Sequence, residues 1–158
     1  MPINCNIHPM SAIRCAVAIF IVSAALNYVW EIAQSPLFAG TGNWGNMWWH
    51  CLVASLGDGV IVLIIHVAGW CIFRRSDWFM HPGATGYSVM LVTGVIVAVV
   101  VEWVAVHAIH RWTYTTRMPL IPGTDIGLVP ILQMLILPPA VFYIVTAWAT
   151  RKKVHVRK

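Results

Sequence analysis

The chain has 158 residues, of which 59% are hydrophobic and only 9% are charged, and its mean hydropathy is +0.77. A soluble domain carries roughly 25% charged residues, so this composition excludes an ordinary soluble domain. The formal net charge is +5, but half of the ten Lys and Arg residues lie in the last eight positions. Such a tail is typical of the cytoplasmic end of a membrane protein and does not indicate nucleic-acid binding.

Four apolar stretches are each long enough to supply the roughly 20 helical residues that cross a bilayer core. In chain order they are residues 12–32, 50–73, 87–109 and 127–150. We therefore predict one all-α domain over residues 1–158, a polytopic membrane four-helix bundle. Pro138 and Pro139 remove two amide donors from the fourth stretch and should kink that helix.

The distribution of Lys and Arg predicts the orientation, because cytoplasmic loops carry an excess of these residues. An N-terminus on the inner side gives that side eight of them, three before the tail and five within it, against two on the outer side. We therefore predict that both termini are cytoplasmic (N-in/C-in). The tryptophans near the predicted span ends are expected at headgroup level: Trp44, Trp48, Trp49, Trp78, Trp103, Trp112 and Trp148.

The two connections on the predicted outer side are unusual. Residues 34–49 carry three tryptophans and no charged side chain, and residues 110–126 mix aromatic residues, threonines and two arginines. The sequence leaves two interpretations open: a lid over the outer end of the bundle, or connectors that only anchor at the interface.

The polar side chains within the spans are the most informative feature of the sequence. The first span carries three, spaced by four and three residues and therefore on one helix face. Each later span contributes one. At 1.5 Å per residue, the last three lie roughly 9–12 Å below the outer boundary, so we expect one shared polar layer. Its members are Asn27, Glu31, Gln34, Asp58, Glu102 and Gln133.

The three acids in this layer should face the bundle interior, since each ionised carboxylate in hydrocarbon costs about 2.5–3.5 kcal/mol on insertion scales. At least one of Asp58 and Glu102 should stay protonated at neutral pH, and such coupled acids exchange protons or hydrogen-bond a ligand. The simpler interpretation is that the layer only holds helices together, at about 0.6 kcal/mol per bond. We favour a functional cavity with Glu31, Asp58 and Glu102 as catalytic residues.

The ligand-binding candidates are Asn27, Trp30, Gln34, His107, Arg111, Trp112 and Gln133. His107 is a candidate proton partner of Glu102, and Arg111 either binds a phosphate or carboxylate headgroup or anchors at the interface. His50 and His110 lie near the same boundary, but the sequence contains neither HExxH nor CxxCH. We therefore predict no metal site and no cofactor.

Four segments carry a resemblance to known proteins: NYVWEIAQSPLF, HCLVASLGDG, VEWVAVHAIHRWTYTTRMPLIPG and GLVPILQMLILPP. They resemble a group of small uncharacterised bacterial four-helix membrane proteins, which implies the bacterial cytoplasmic (inner) membrane. In layout the chain is also similar to the EXPERA-domain proteins, which include sterol isomerases and sterol-binding receptors. Those proteins have four helices, intramembrane acids, a proline-broken last helix and a basic tail. The similarity transfers no catalytic residue.

The leading hypothesis is a membrane protein with an outward-facing acidic cavity that binds a lipophilic molecule with a polar head and performs acid–base chemistry on it. Its expected partner is a membrane lipid or lipophilic small molecule, not nucleic acid. Two other classes remain open. One is a proton-coupled small-molecule transporter that acts as a homo-oligomer, and the other is an accessory subunit that docks a partner membrane protein.

Overall fold

The computed structural model describes residues 11–39 and 44–155, and this part of the chain is mostly helical. Its four α-helices are long and apolar enough to cross a membrane, so the chain is a multi-pass integral membrane protein and the predicted all-α bundle is confirmed. Residues 40–43 of the first outer connection and residues 156–158 of the basic tail lie outside the described residues. The helices are α1 Ala12–Gln34, α2 Trp44–Phe73, α3 Gly83–Trp103 and α4 Leu128–His155.

The helices form a ring in which α1 packs against α2 and α4, while α3 packs against the same two neighbours. α1 begins with Ser11 as its N-cap, whose Oγ accepts a hydrogen bond from the amide of Arg14. Because an even number of spans returns the chain to its starting side, both ends of the described bundle face the same compartment. Which compartment this is stays a prediction.

The contact between α3 and α4 depends on a glycine and a proline. Pro138 has no amide hydrogen, so the carbonyl of Met134 loses its donor within the helix, although α4 continues through Pro138 and Pro139. A Cβ atom on Gly94 would lie 2.7 Å from that carbonyl oxygen. Glycine therefore lets the Met134 carbonyl pack directly onto the backbone of α3.

One end of the bundle is closed by aromatic packing around the turn between α2 and α3, and we call it the Trp78 end. Trp78 was expected as an interfacial ring, but its side chain is only 1% exposed and packs inside the bundle. A short 3-10 helix, Trp78–Met80, turns the indole back into the bundle. There its Nε1 donates a hydrogen bond of 3.0 Å to the carbonyl of His66.

The opposite end is covered by residues 110–126, which we call the strap. The strap pairs with the segment after α1 through an antiparallel bridge between Phe38 and Tyr114. α2 begins at Trp44 instead of near His50, so the first outer connection is shorter than predicted. Nothing in the first turns of α2 stops a helix, because Trp44 to His50 includes no proline. After α3 the helical path continues as a π-helix, Val104–Ala108.

Candidate functional site

The side chain of Gln133 joins three helices at the centre of the bundle. It projects from α4, is 2% exposed, and its Nε2 lies 2.7 Å from Asn27 Oδ1, 2.9 Å from Asp58 Oδ2 and 3.2 Å from Glu31 Oε1. A carboxamide nitrogen carries only two hydrogens. Three acceptors from α1 and α2 therefore compete for two donor positions.

Further polar side chains extend this cluster along α1. Gln34 Nε2 donates to Glu31 Oε1 at 2.8 Å and to Gln133 Oε1 at 3.1 Å. Trp30 Nε1 in turn donates to Gln34 Oε1 at 3.1 Å. These bonds connect residues that the sequence placed on one helix face. We call the whole set the polar network: Ser23, Asn27, Trp30, Glu31, Gln34, Asp58 and Gln133.

Ser23 is a member of this network that the sequence interpretation missed. Asn27 Nδ2 donates to the Ser23 carbonyl at 2.9 Å and to its Oγ at 3.0 Å, and both residues are fully buried. The signal was available, because Ser23 lies four residues before Asn27 and therefore on the same helix face. It was missed because a serine in a span usually bonds to its own backbone.

Asp58 is flanked on α2 by two glycines with different surroundings. A Cβ atom on Gly59 would lie 2.9 Å from the ring of Phe20, so this glycine allows α1 and α2 to approach closely. On the other flank Gly57 is exposed, and a Cβ atom there would meet nothing within 4 Å. The close approach of α1 and α2 beside Asp58 therefore occurs on the Gly59 side.

The polar network has more acceptors than donors. The carboxyl groups of Glu31 and Asp58 bring four oxygens, and the donors that reach them belong to Gln34 and Gln133. Neither acid forms an ion pair within the described part of the chain. The missing donors have two possible sources: protons on the acids, or the O–H or N–H groups of a bound molecule.

Glu102 lies beside the network without a hydrogen bond to it in the described structure. It projects from α3, is 5% exposed, and is close enough to Glu31 and Asp58 for their charges to interact. Its Oε2 accepts a hydrogen bond from the hydroxyl of Tyr114 in the strap. The structure thus brings Glu102 near the other two acids but pairs it with a loop residue.

Tyr114 is a second contact residue that the sequence interpretation missed. Its hydroxyl also accepts a hydrogen bond of 3.2 Å from the amide of Gly127. Burial, followed by the bond to Glu102, raises the pKa of Tyr114 to about 12. No sequence pattern identified it, because the π-helix and the first residues of the strap separate it from its partner.

The remaining predicted residues lie at the strap end. Trp112 packs its ring edge-on against Phe38 at 6.1 Å, and its buried Nε1 lies beside the Glu102 carboxyl and the Tyr114 hydroxyl. His107 is exposed and stacks on Trp103, with Nε2 3.8 Å from Asp125.

Arg111 is also exposed, as are His50 and His110. The structure does not bring His107 or Arg111 into the polar network, so their roles stay predictions. Among the described residues, no group of three or more His, Cys, Asp or Glu side chains is arranged to hold a metal ion.

No family model, curated protein or solved structure matches this chain. The resemblances to small bacterial four-helix proteins and to EXPERA-domain proteins therefore stay expectations.

Proposed function

We propose that this membrane protein binds a lipophilic molecule whose polar head enters the polar network, and that the acids perform acid–base chemistry on that head. The observation that carries the proposal is the Gln133 carboxamide, which faces three acceptors from two other helices with two hydrogens. The partner is a membrane lipid or a lipophilic small molecule, and the membrane is the bacterial cytoplasmic membrane.

A purely structural role explains this network less well. Interhelical hydrogen bonds in membranes contribute about 0.6 kcal/mol each, whereas an ionised acid at mid-membrane costs about 2.5–3.5 kcal/mol on insertion scales. Neutral amides and hydroxyls would link the helices without that cost. Retaining Glu31 and Asp58 at the centre of the network is therefore better explained by chemistry that only a carboxyl group performs.

The division of side chains also supports acid–base chemistry. Asn27, Gln34 and Gln133 hydrogen-bond but do not exchange protons near neutral pH, so they orient the carboxyl groups and the head of the ligand. Glu31 and Asp58 then give or accept the proton, and Glu102 adds a third acid at the side of the network. An O–H or N–H group on the ligand supplies the donors that the network lacks.

The test uses the full-length protein purified in a mild detergent. Mass spectrometry should identify a lipophilic molecule that is retained in stoichiometric amount. Asp58→Asn and Glu102→Gln should leave the fold intact, because an amide oxygen still accepts the hydrogen bonds, but should remove activity or ligand retention. Asp125→Asn is the matched control, since the Asp125 side chain is 81% exposed and lies outside the network.

Other outcomes separate the alternative functions. Substrate counterflow in proteoliposomes, lost in the same two variants, would identify the proton-coupled transporter. A protein that is stable only with a second membrane protein would be an accessory subunit. If both amide variants retain full function, the network only links helices and the proposal is wrong.

A further inference from the structure

The strap is fixed to the bundle by a small number of contacts. Two backbone bonds pair it with the segment after α1, from the Ala39 amide to the Thr113 carbonyl at 2.8 Å and from the Thr115 amide to the Leu37 carbonyl at 2.9 Å. A third bond, from the Leu128 amide to the Pro119 carbonyl at 2.8 Å, joins it to the start of α4. These bonds hold the strap across the end of the ring of helices.

Tyr114 connects the strap to one of the three acids. Its hydroxyl donates to Glu102 in α3 and accepts from the Gly127 amide before α4. Its ring fits this place because residue 127 is a glycine, where a Cβ atom would lie 3.0 Å from the ring. One hydroxyl group therefore bridges the strap and two helices.

The strap otherwise buries little of its own surface. Two of its side chains, Met118 and Ile126, are buried apolar groups, whereas Arg111, Thr116 and Arg117 are exposed. A segment with few buried apolar contacts opens at a lower free energy than the helical core. The two bonds of the Tyr114 hydroxyl therefore act together with the backbone bonds, and with those that the Thr115 hydroxyl donates to the carbonyls of Pro36 and Leu37, to keep the strap in place.

The chain between α3 and the strap has the features of a hinge. It contains the π-helical segment Val104–Ala108, and the strap then begins at His110, which adopts the left-handed conformation with φ 46°. π-Helical turns occur frequently at functional sites, and hinge motions concentrate in a few residues at the ends of helices. This segment lies two residues after Glu102, so its movement would separate Tyr114 from that acid.

We propose that the strap is a lid over the polar network and that Tyr114 is its latch. In the closed state the Tyr114 hydroxyl donates its hydrogen bond to Glu102. Release of this bond lets the strap swing about residues 104–110, so that water and water-soluble molecules reach the polar network. The inference rests on the proposed function in that it concerns access to the same network. The experiments below use no ligand, so a failure of the lid proposal is distinguishable from a failure of ligand binding.

The first experiment measures amide hydrogen exchange by mass spectrometry. Tyr114→Phe keeps the ring and removes the hydroxyl, so exchange at Ala39 and Thr115 should accelerate about tenfold, the effect of losing one hydrogen bond to an acid. Tyr143→Phe is the matched control, because the Tyr143 ring lies in α4 and is 74% exposed. Unchanged exchange at both amides in Tyr114→Phe would overturn the latch.

The second experiment locks the strap reversibly. Ala39 and Thr113 face each other across the paired segments, and hydrogen-bonded antiparallel pairs have the Cα spacing that a disulfide accepts. Ala39→Cys and Thr113→Cys are combined in a variant whose native cysteines are replaced. A water-soluble carbodiimide with glycine methyl ester then reports the accessibility of Asp58, which Tyr114 does not contact.

The expected result is that Tyr114→Phe accelerates labelling of Asp58 about tenfold, that the oxidised cross-link suppresses this labelling, and that reduction restores it. Equal labelling in the oxidised and reduced forms would overturn the lid. The lid would also be overturned if Asp58 were labelled only by a lipophilic carbodiimide and the cross-link did not change that labelling. In that case the ligand site of the proposed function would stand, but ligands would enter it from the lipid.

Discussion

The two ends of the bundle are built on different physical principles. At the Trp78 end, Trp78 packs with Phe79 and Phe142 at ring centroid distances of 6.5 Å and 5.6 Å, and the cluster around them is apolar apart from the buried ring of His66. At the strap end, acids and amides from the four helices converge, and the cover is a loop. The Trp78 end gains stability from close packing, whereas the strap end contains acids and amides that an apolar core would exclude.

This contrast explains how the chain tolerates its polar network. Association of helices in lipid depends on packing, because lipid tails are as apolar as the side chains they replace. The aromatic cluster supplies that packing away from the acids and fixes the ring of helices at one end. The strap end is then free to open without separation of the bundle.

The largest expected difference between the two ends is in cysteine accessibility, because each end should be labelled from only one side of the membrane. Thr116→Cys lies in the strap and His81→Cys lies at the Trp78 end, and both positions are exposed. In a variant without native cysteines, an impermeant maleimide should label position 116 in intact cells and position 81 only after permeabilisation. The reverse pattern would invert the predicted orientation.

The sequence predicted the helices well because each span is a long, mostly apolar run bounded by polar or turn residues. The start of α2 was missed for a physical reason: tryptophans suit both an interfacial loop and the first turns of a helix. The burial of Trp78 was also unpredictable, since it requires Gly69 on a different helix. A Cβ atom on Gly69 would lie 2.1 Å from the Trp78 indole.

The candidate site was predictable only in part. The spacing of Asn27, Glu31 and Gln34 along one helix placed them together, and common depth placed Asp58 and Gln133 beside them. The contact between Tyr114 and Glu102 could not be predicted, because it depends on how the strap folds back. Loop conformation is determined by a few hydrogen bonds and close contacts, and no periodic pattern reports it.

The next largest effect should come from Trp78→Ala. Removing a buried tryptophan side chain typically costs about 3–5 kcal/mol, so the free energy of unfolding in mixed micelles should fall by about that amount or folding should fail. Trp49→Ala, at a position that is 53% exposed, should change stability far less. Equal losses in the two variants would show that the Trp78 end does not stabilise the bundle.

A pair of glycine substitutions tests the same packing by adding atoms to it, whereas Trp78→Ala removes them. Gly69→Ala should destabilise the protein because its Cβ overlaps the indole of Trp78, and overpacking costs about 1–3 kcal/mol. Gly57→Ala, on the same helix, meets no neighbour within 4 Å. It should therefore be neutral or slightly stabilising, because alanine favours helix.

At the strap end, Gln133→Leu should reduce the free energy of unfolding by about 2 kcal/mol. It loses the two bonds that the carboxamide hydrogens can donate and the one that its Oε1 accepts from Gln34, at about 0.6 kcal/mol each. Asn27→Leu should add little more once Gln133 is replaced, because contacting residues in one network are not additive. Met134→Leu is the matched control and should cost less than about 1.5 kcal/mol. An unchanged stability in Gln133→Leu would show that the network does not hold the helices together.

The smallest expected effect concerns the ionisation of Tyr114. Its pKa is raised from 10.0 to about 12, by burial first and by the bond to Glu102 second. A raised pKa means that folding favours the neutral phenol, so the stabilisation it gives the strap is complete below pH 10 and is lost as the pH rises through about 12.

The difference in ultraviolet phenolate absorbance between the wild type and Tyr114→Phe isolates this one titration. Its midpoint should lie near pH 12. In Glu102→Gln the midpoint should move down, because one of the two leading causes is removed, yet stay above the ordinary value because burial remains. A wild-type midpoint near 10 would show that Tyr114 is neither buried nor bonded to Glu102, and the strap end would then be open, in contrast to the closed Trp78 end.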